Sequence, residues 1–342
     1  VSAFNVDSRP ESIDRRAAIA LAVRALAAFS VDLVHSGEGA RPRSRLDQAL
    51  ALVNRFLDVP PVQLDAISPH GWAIKRSTFG IDLKKRLNRR LGPTPFPYQG
   101  STNLCGEAAF LYCLMNDRPD LYAKLAIGLW NEAEFNLENG TLGGDYWVRP
   151  GDGTIKALPT ERDGPILQLD WLTMGSLSKP HRGNAGLHDL FTAATLPENL
   201  RDWFGAAGAP QIKSGFDQIV GGSLSDFKEL VSLARDRWVI LEIDPGIITH
   251  QAQNMTDRHW VVLCGDPQVF AGTPARDGLP MQSINDDNAE ALKLSMPIFT
   301  WGLEDAPIYR LNRESRVGVE NDPSVHDFVR YFYGGLVFPR IP

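Results

Sequence analysis

The sequence predicts an α+β domain in which one central buried helix packs on an antiparallel sheet, and three observations lead there. Residues 105–115 are almost unbroken apolar sequence, helical spacing dominates up to residue 91, and short β-branched or aromatic runs take over from residue 238. Helices first and strands last segregate into layers, which is the α+β arrangement. A chain of 342 residues, 43% of them hydrophobic, holds enough apolar surface for one large core or two ordinary ones.

In residues 11–91, Ile19, Ala20, Val23, Leu26 and Ala27 recur at helical spacing, as do Leu46, Leu50, Leu52, Val53 and Leu57. Gly37, Gly39, Pro42, Pro60 and Pro61 punctuate these helices. Residues 92–97 carry three prolines, which remove donors and restrict their predecessors, so a helix cannot cross them. The expected division is a helical N-terminal region at 1–91 and a second domain at 92–342, with 11–91 dispensable for any bond-breaking chemistry. Asn103 is the expected N-cap of the buried helix, with Cys105 in its first turn. Asp117 and Pro119 open the next helix, whose stripe is Leu121, Leu125, Leu129 and Trp130.

Residues 140–186, rich in Gly, Asp and Pro, read as long loops with short strands, and 190–204 return to helical character. The runs at 238–243, 260–264, 294–301, 308–311 and 331–338 read as strands.

Composition excludes several classes. The net charge is −6 and the basic residues are scattered. The one cluster, Lys84, Lys85, Arg86, Arg89 and Arg90, reads as a solvated helix face, so no nucleic-acid surface is expected. Cys105, Cys113 and Cys264 form neither a paired framework nor a zinc-ligand spacing, so no metal and no cofactor are expected. The longest apolar stretch is interrupted by Arg24, and no cleavable signal pattern opens the chain, so neither a membrane span nor signal-peptide export is expected.

A thiol attacks a carbonyl as the thiolate, which needs a device to lower its pKa and a base to take the proton. Cys105 at a helix start and His259 at the head of a strand supply both types of group. Gly106 leaves space beside the sulfur for a substrate backbone. Gln99, six residues upstream, has a carboxamide able to donate to a developing oxyanion. Cys113 and Cys264 read as packing residues, and His250 is a distant second candidate for the base. Trp130 and Glu134 form a Trp-x-x-x-Glu pattern that helix packing alone produces often.

With Gln99-Gly100-Ser101-Thr102-Asn103-Leu104-Cys105, the strand-borne His259 and the pair Trp301-Gly302, the chain resembles the papain-like cysteine peptidases. In that family an Asn orients the histidine two positions before the Trp, where this chain has Phe299. The third member of the site is left open between Thr300, one of Asp277, Asp286 and Asp287, and a bare Cys-His dyad. Asp266 is set aside, because seven residues along one strand from His259 is about 23 Å. Residues 104–112, 117–122, 170–177 and 258–263 also resemble papain-fold bacterial toxins and effectors associated with type VI secretion.

That resemblance implies a cysteine peptidase or amidohydrolase made in the bacterial cytoplasm and delivered to a target cell. Its substrate would be a protein or peptide, and its partners an immunity protein and a secretion carrier. Two alternatives stay open: a deamidase of a target glutamine, which uses identical chemistry, and a papain-shaped binding module without turnover. An active nucleophile is expected to label selectively at mildly acidic pH.

Overall fold

The computed structural model describes residues 44–90, 95–100, 102–137, 146–150, 166–182, 195–216, 222–248, 258–271, 279, 281–312 and 317–342. The architecture is mixed α+β. Its centre is a six-stranded, wholly antiparallel sheet in the order β3-β12-β4-β5-β8-β9. The strands are β3 (Lys213–Phe216), β4 (Arg237–Ile243), β5 (His259–Leu263), β8 (Ile298–Thr300), β9 (Leu303–Ala306) and β12 (Phe332–Pro339), while β1 (Phe135–Asn136) pairs with β2 (Trp147–Val148) and β10 (Tyr309–Asn312) with β11 (Val317–Asn321) outside that sheet.

Both faces of this sheet are covered, which explains why its strands read as continuous apolar runs. Trp238 and Ile240 of β4, Trp260 and Val262 of β5, Phe299, Leu336 and Phe338 face the large helical layer. The alternate residues Val239, Leu241, Ile243, Val261, Leu263, Ile298 and Val337 face a second core closed by the helices Leu224–Ser232 and Val325–Val329. The run at 294–301 is two strands, β7 (Lys293–Ser295) and β8, broken at Met296 and Pro297, and β7 pairs with β6 (Gln268–Phe270) outside the main sheet.

In the helical layer, α1 is Arg45–Leu57, α2 Pro61–Leu64, α3 Arg76–Leu87, α4 Cys105–Asp117, α5 Pro119–Glu132, α6 Gln168–Arg182 and α7 Pro197–Ala206. Helix α4 is buried on every side from Cys105 to Met115, as its unbroken apolar sequence requires. Its N-cap is Leu104, without a side-chain cap, rather than Asn103. Asp117 does not open α5, whose N-cap is Arg118; its carboxylate accepts from Trp238 Nε1 at 2.5 Å and the Ile341 amide at 2.8 Å, tying the helix end to the sheet.

Three expectations are corrected. The division at residues 91 and 92 is absent: Arg45–Pro342 forms one compact unit, and Val53, Phe56, Phe79 and Leu83 share a core with α4, α5 and α6. Residues 11–43 lie outside the described residues. The basic cluster is not wholly solvated either, since Arg86 turns inward and is fully buried. Finally, α6 occupies a stretch expected to be loop. Leu169, Trp171, Leu172, Met174 and Leu177 are fully buried together with Thr173 and Ser176, so the helix has no polar face to give it a period. Thr173 Oγ1 donates to the Leu169 carbonyl at 2.9 Å and Ser176 Oγ to the Leu172 carbonyl at 2.6 Å, which lets small hydroxyl residues sit inside a buried helix.

Trp130 is a packing residue: its Nε1 donates to the Ile74 carbonyl at 3.1 Å and its ring meets Phe56 edge-on. Glu134 pairs with Arg149 at the surface. No helix among the described residues is long and apolar enough to cross a membrane.

Candidate active site

The sheet and α4 meet where β5 begins. Cys105 is the first residue of α4, and its thiol accepts backbone N–H bonds from Trp260, the residue after His259, and from Gly106. Burial nevertheless dominates: it pushes the thiol up to about 12, the Trp260 amide pulls it down, and the carboxylates of Glu107 and Glu242 push it further up. The helix start alone therefore does not make a thiolate in this arrangement.

His259 is buried at the head of β5, and its Nε2 lies 2.7 Å from Thr300 Oγ1. Trp301 covers the imidazole with ring centroids 4.8 Å apart. Trp301 and Gly302 form the turn from β8 to β9 with φ of 45° and 77°, the left-handed region. Burial holds the imidazole down to about 3, so it is neutral. Of the candidates for third member, Thr300 meets His259. Asp286 and Asp287 sit exposed in a turn and do not bond it, while Asp277 and His250 lie outside the described residues.

The structure brings the Cys105 thiol to the Trp260 amide beside His259, but no hydrogen bond joins the Cys105 and His259 side chains. Strand alternation explains this. Trp260 and Val262 face α4, Val261 and Leu263 face the second core, and His259 begins the strand in register with the latter pair.

Gln99 is buried, and its Nε2 donates to the Thr102 carbonyl at 2.8 Å, while Thr102 Oγ1 donates back to the Gln99 carbonyl at 2.7 Å. Gly100, at φ 60°, permits this tight turn. One carboxamide N–H is thus used inside the loop and a second remains.

Comparison with protein-family models, with curated proteins and with solved structures finds no match.

The site's geometry includes three residues that the sequence did not mark as functional. Thr195 is the first. A Cβ on Gly106 would collide with Thr195 Cγ2 and come within 2.7 Å of its Cβ, so the space expected to receive a substrate backbone is filled by the chain itself. Thr195 is locked there: Oγ1 donates to Glu107 Oε2 at 2.6 Å, and its carbonyl accepts from Trp260 Nε1 at 2.8 Å. No sequence signal marked Thr195. Glu107 and Glu242 are the others, both buried; Glu242 pairs with Trp260 across β4 and β5 and takes Arg258 Nη1 at 3.1 Å. A lone Glu inside the apolar run of α4 was the available clue to Glu107.

Phe299, at the position where an orienting Asn was missed, belongs to the core. It stacks on Tyr112 with centroids 4.1 Å apart and an interplanar angle of 9°, and meets Phe96 edge-on. The polar partner of His259 is simply one residue along. Phe299→Asn is accordingly expected to destabilise the fold by about 3–5 kcal/mol, read by urea denaturation, without strengthening the support of His259. A folded variant with higher activity would contradict this.

Proposed function

We propose that the chain is a cysteine-dependent hydrolase, papain-like in arrangement, with Cys105 as nucleophile, His259 as base and Thr300 as the residue that orients the base. The observation that carries it is the meeting of a buried helix start bearing Cys105 with the amide after His259, while Thr300 holds the far nitrogen of that imidazole. With Nε2–H donating to Thr300, Nδ1 keeps the lone pair that a general base needs. The imidazole, which at rest stands on the opposite face of β5 from the sulfur, must swing over the strand head for turnover; the thiol then loses its proton to that nitrogen and the sulfur attacks the substrate carbonyl carbon. The oxyanion takes the Cys105 amide and the remaining N–H of Gln99. The imidazolium then protonates the leaving amine, or ammonia from a glutamine side chain, and water activated by His259 hydrolyses the acyl-enzyme.

The resemblance to secretion-associated toxins supports a protein or peptide of a target cell as substrate, with an immunity protein and a carrier as partners. A second function, binding without turnover, is favoured by one observation: the thiol is buried and neutral, and Thr195 fills the space over the neighbouring Gly106.

Cys105→Ala separates the two. Hydrolysis is expected to be lost in Cys105→Ala and in His259→Ala, and the double variant is expected to be no worse than either, because residues that act as a unit are not additive. Hydrolysis retained by a folded Cys105→Ala chain would remove the nucleophile. Target binding retained with no turnover in the unaltered chain would favour the binding module.

A further inference from the structure

Helix α6 carries a buried charge that the chemistry above does not use. Asp170 and Arg86 are both fully buried, and Arg86 Nη2 lies 2.5 Å from Asp170 Oδ2. The same oxygen accepts from the backbone N–H of Tyr98 at 3.3 Å. Tyr98 immediately precedes Gln99, in the loop that runs into Cys105. Asp170 Oδ1 has no hydrogen-bond partner among the described residues, and the Tyr122 hydroxyl, also without one, is close enough to feel both charges.

A fully buried ion pair is a poor device for stability, because desolvation offsets the Coulomb gain and packed apolar residues of similar volume serve as well or better. What the pair offers here is an acceptor at a fixed point, shared between α3, α6 and the loop. The loop is otherwise a stiff relay. At its start the Phe96 amide donates to the Gly302 carbonyl at 3.4 Å, in the turn beside Thr300 and Trp301. At its end the reciprocal bonds of Gln99 and Thr102 close a turn one residue short of the helix cap. Tyr98, between them, gives its amide to Asp170, which ties down the stretch that leads into Gln99 and Cys105.

We propose that Asp170, fixed by Arg86, is a positioning residue that sets the oxyanion loop through the Tyr98 amide. This rests on the hydrolase function proposed above. It also gives a role to the segment 170–177, which the sequence singled out and the chemistry left unused.

The test is hydrolysis of p-nitrophenyl acetate by the full chain, corrected for Cys105→Ala, with kcat, KM and thermal midpoint read together. Asp170→Asn is expected to lose kcat by about 100-fold with KM nearly unchanged, the cost of a misplaced catalytic group. The double variant Arg86→Met with Asp170→Leu is expected to recover the thermal midpoint lost in Asp170→Asn and to leave kcat low. Tyr98→Pro, which removes the N–H and keeps the ion pair, is expected to lose kcat in the same way. Recovery of kcat together with the midpoint in the double variant would overturn the proposal and leave the pair a structural one. So would wild-type kcat in a folded Tyr98→Pro chain, which decides the matter if the double variant does not fold. Equal ester turnover by the unaltered chain and Cys105→Ala is a different result: the hydrolase function itself then fails.

Discussion

A chain beginning at Gly92 is expected not to fold, although the sequence alone reads 11–91 as dispensable. Helices α1 and α3 and the link between them bury Val53, Phe56, Leu57, Trp72, Ile74, Phe79, Leu83 and Leu87 in the same core as α4, α5 and α6. At about 1.5–3 kcal/mol for each fully buried side chain, their combined loss is as large as or larger than the roughly 5–15 kcal/mol that holds a domain together. Polar losses add to it. Ser68 Oγ would no longer reach the Trp130 carbonyl, now 2.9 Å away, and Trp130 Nε1 would lose the Ile74 carbonyl. Above all, Asp170 would be left buried without Arg86, and stranding one partner of a buried pair costs about 3–5 kcal/mol by itself. Circular dichroism and urea denaturation check this. A chain from Gly92 that unfolds cooperatively with an unchanged midpoint would show that these helices are an accessory layer after all.

The core that these helices share with α4, α5 and α6 shows where sequence reading stops. An amphipathic run such as Leu46, Leu50, Val53 and Leu57 says that a helix buries one side, but not against what, and the prolines at 93, 95 and 97 imitate a linker in sequence although Phe96, between the last two, lies in the core. The buried helix from Cys105 and the strands at β4, β5 and β12 were legible because continuous apolar runs bounded by turn residues have few other solutions. Helix α6 was not, because a helix buried all round loses its period and its Ser and Thr residues mimic turn formers.

At the site, the approach of α4 to the head of β5 was readable from residue order, and Thr300 stood among the candidates for the third position. The one-residue offset that gives His259 to Thr300 and buries Phe299 was not readable. It follows from the register of β5 and β8, where Val262 faces Phe299 and Leu263 faces Ile298, which puts Phe299 on the α4 side and Thr300 on the side of His259. Contacts made by residues distant in sequence, such as Thr195 over Gly106, leave no local pattern at all.

The covering of Cys105 carries the other large expected effect. With its thiol pushed up to about 12 by burial, against about 8.5 for a free cysteine, Cys105 at pH 7 holds roughly a thousandth or less of the thiolate of an exposed thiol. The sign follows directly: a raised pKa depletes the nucleophile at every pH below it, so alkylation of the folded chain should be very slow at pH 6–7. It should climb about tenfold for each added pH unit, because the thiolate is the reacting species. Selective labelling at mildly acidic pH, the signature of a preformed thiolate and imidazolium, is therefore not expected; with His259 held down to about 3, the resting pair is thiol and neutral imidazole. Thr195→Gly is expected to change this by removing the methyl and hydroxyl that lie over Gly106 and by freeing Glu107 from its bond to that hydroxyl, while the carbonyl that accepts from Trp260 Nε1 stays in place. Water then reaches the sulfur, the desolvation penalty falls, and the rate of iodoacetamide labelling at Cys105, located by mass spectrometry, should rise by about tenfold or more, the effect of one pKa unit recovered. The thermal midpoint, measured beside it, distinguishes local opening from unfolding. If Thr195→Gly stays folded and labels at the original rate, Thr195 is not what covers the thiol. If the unaltered chain labels fast and selectively at pH 6, the sulfur is already a thiolate, and the closed neutral state described for Cys105 and His259 is not the one that predominates in solution.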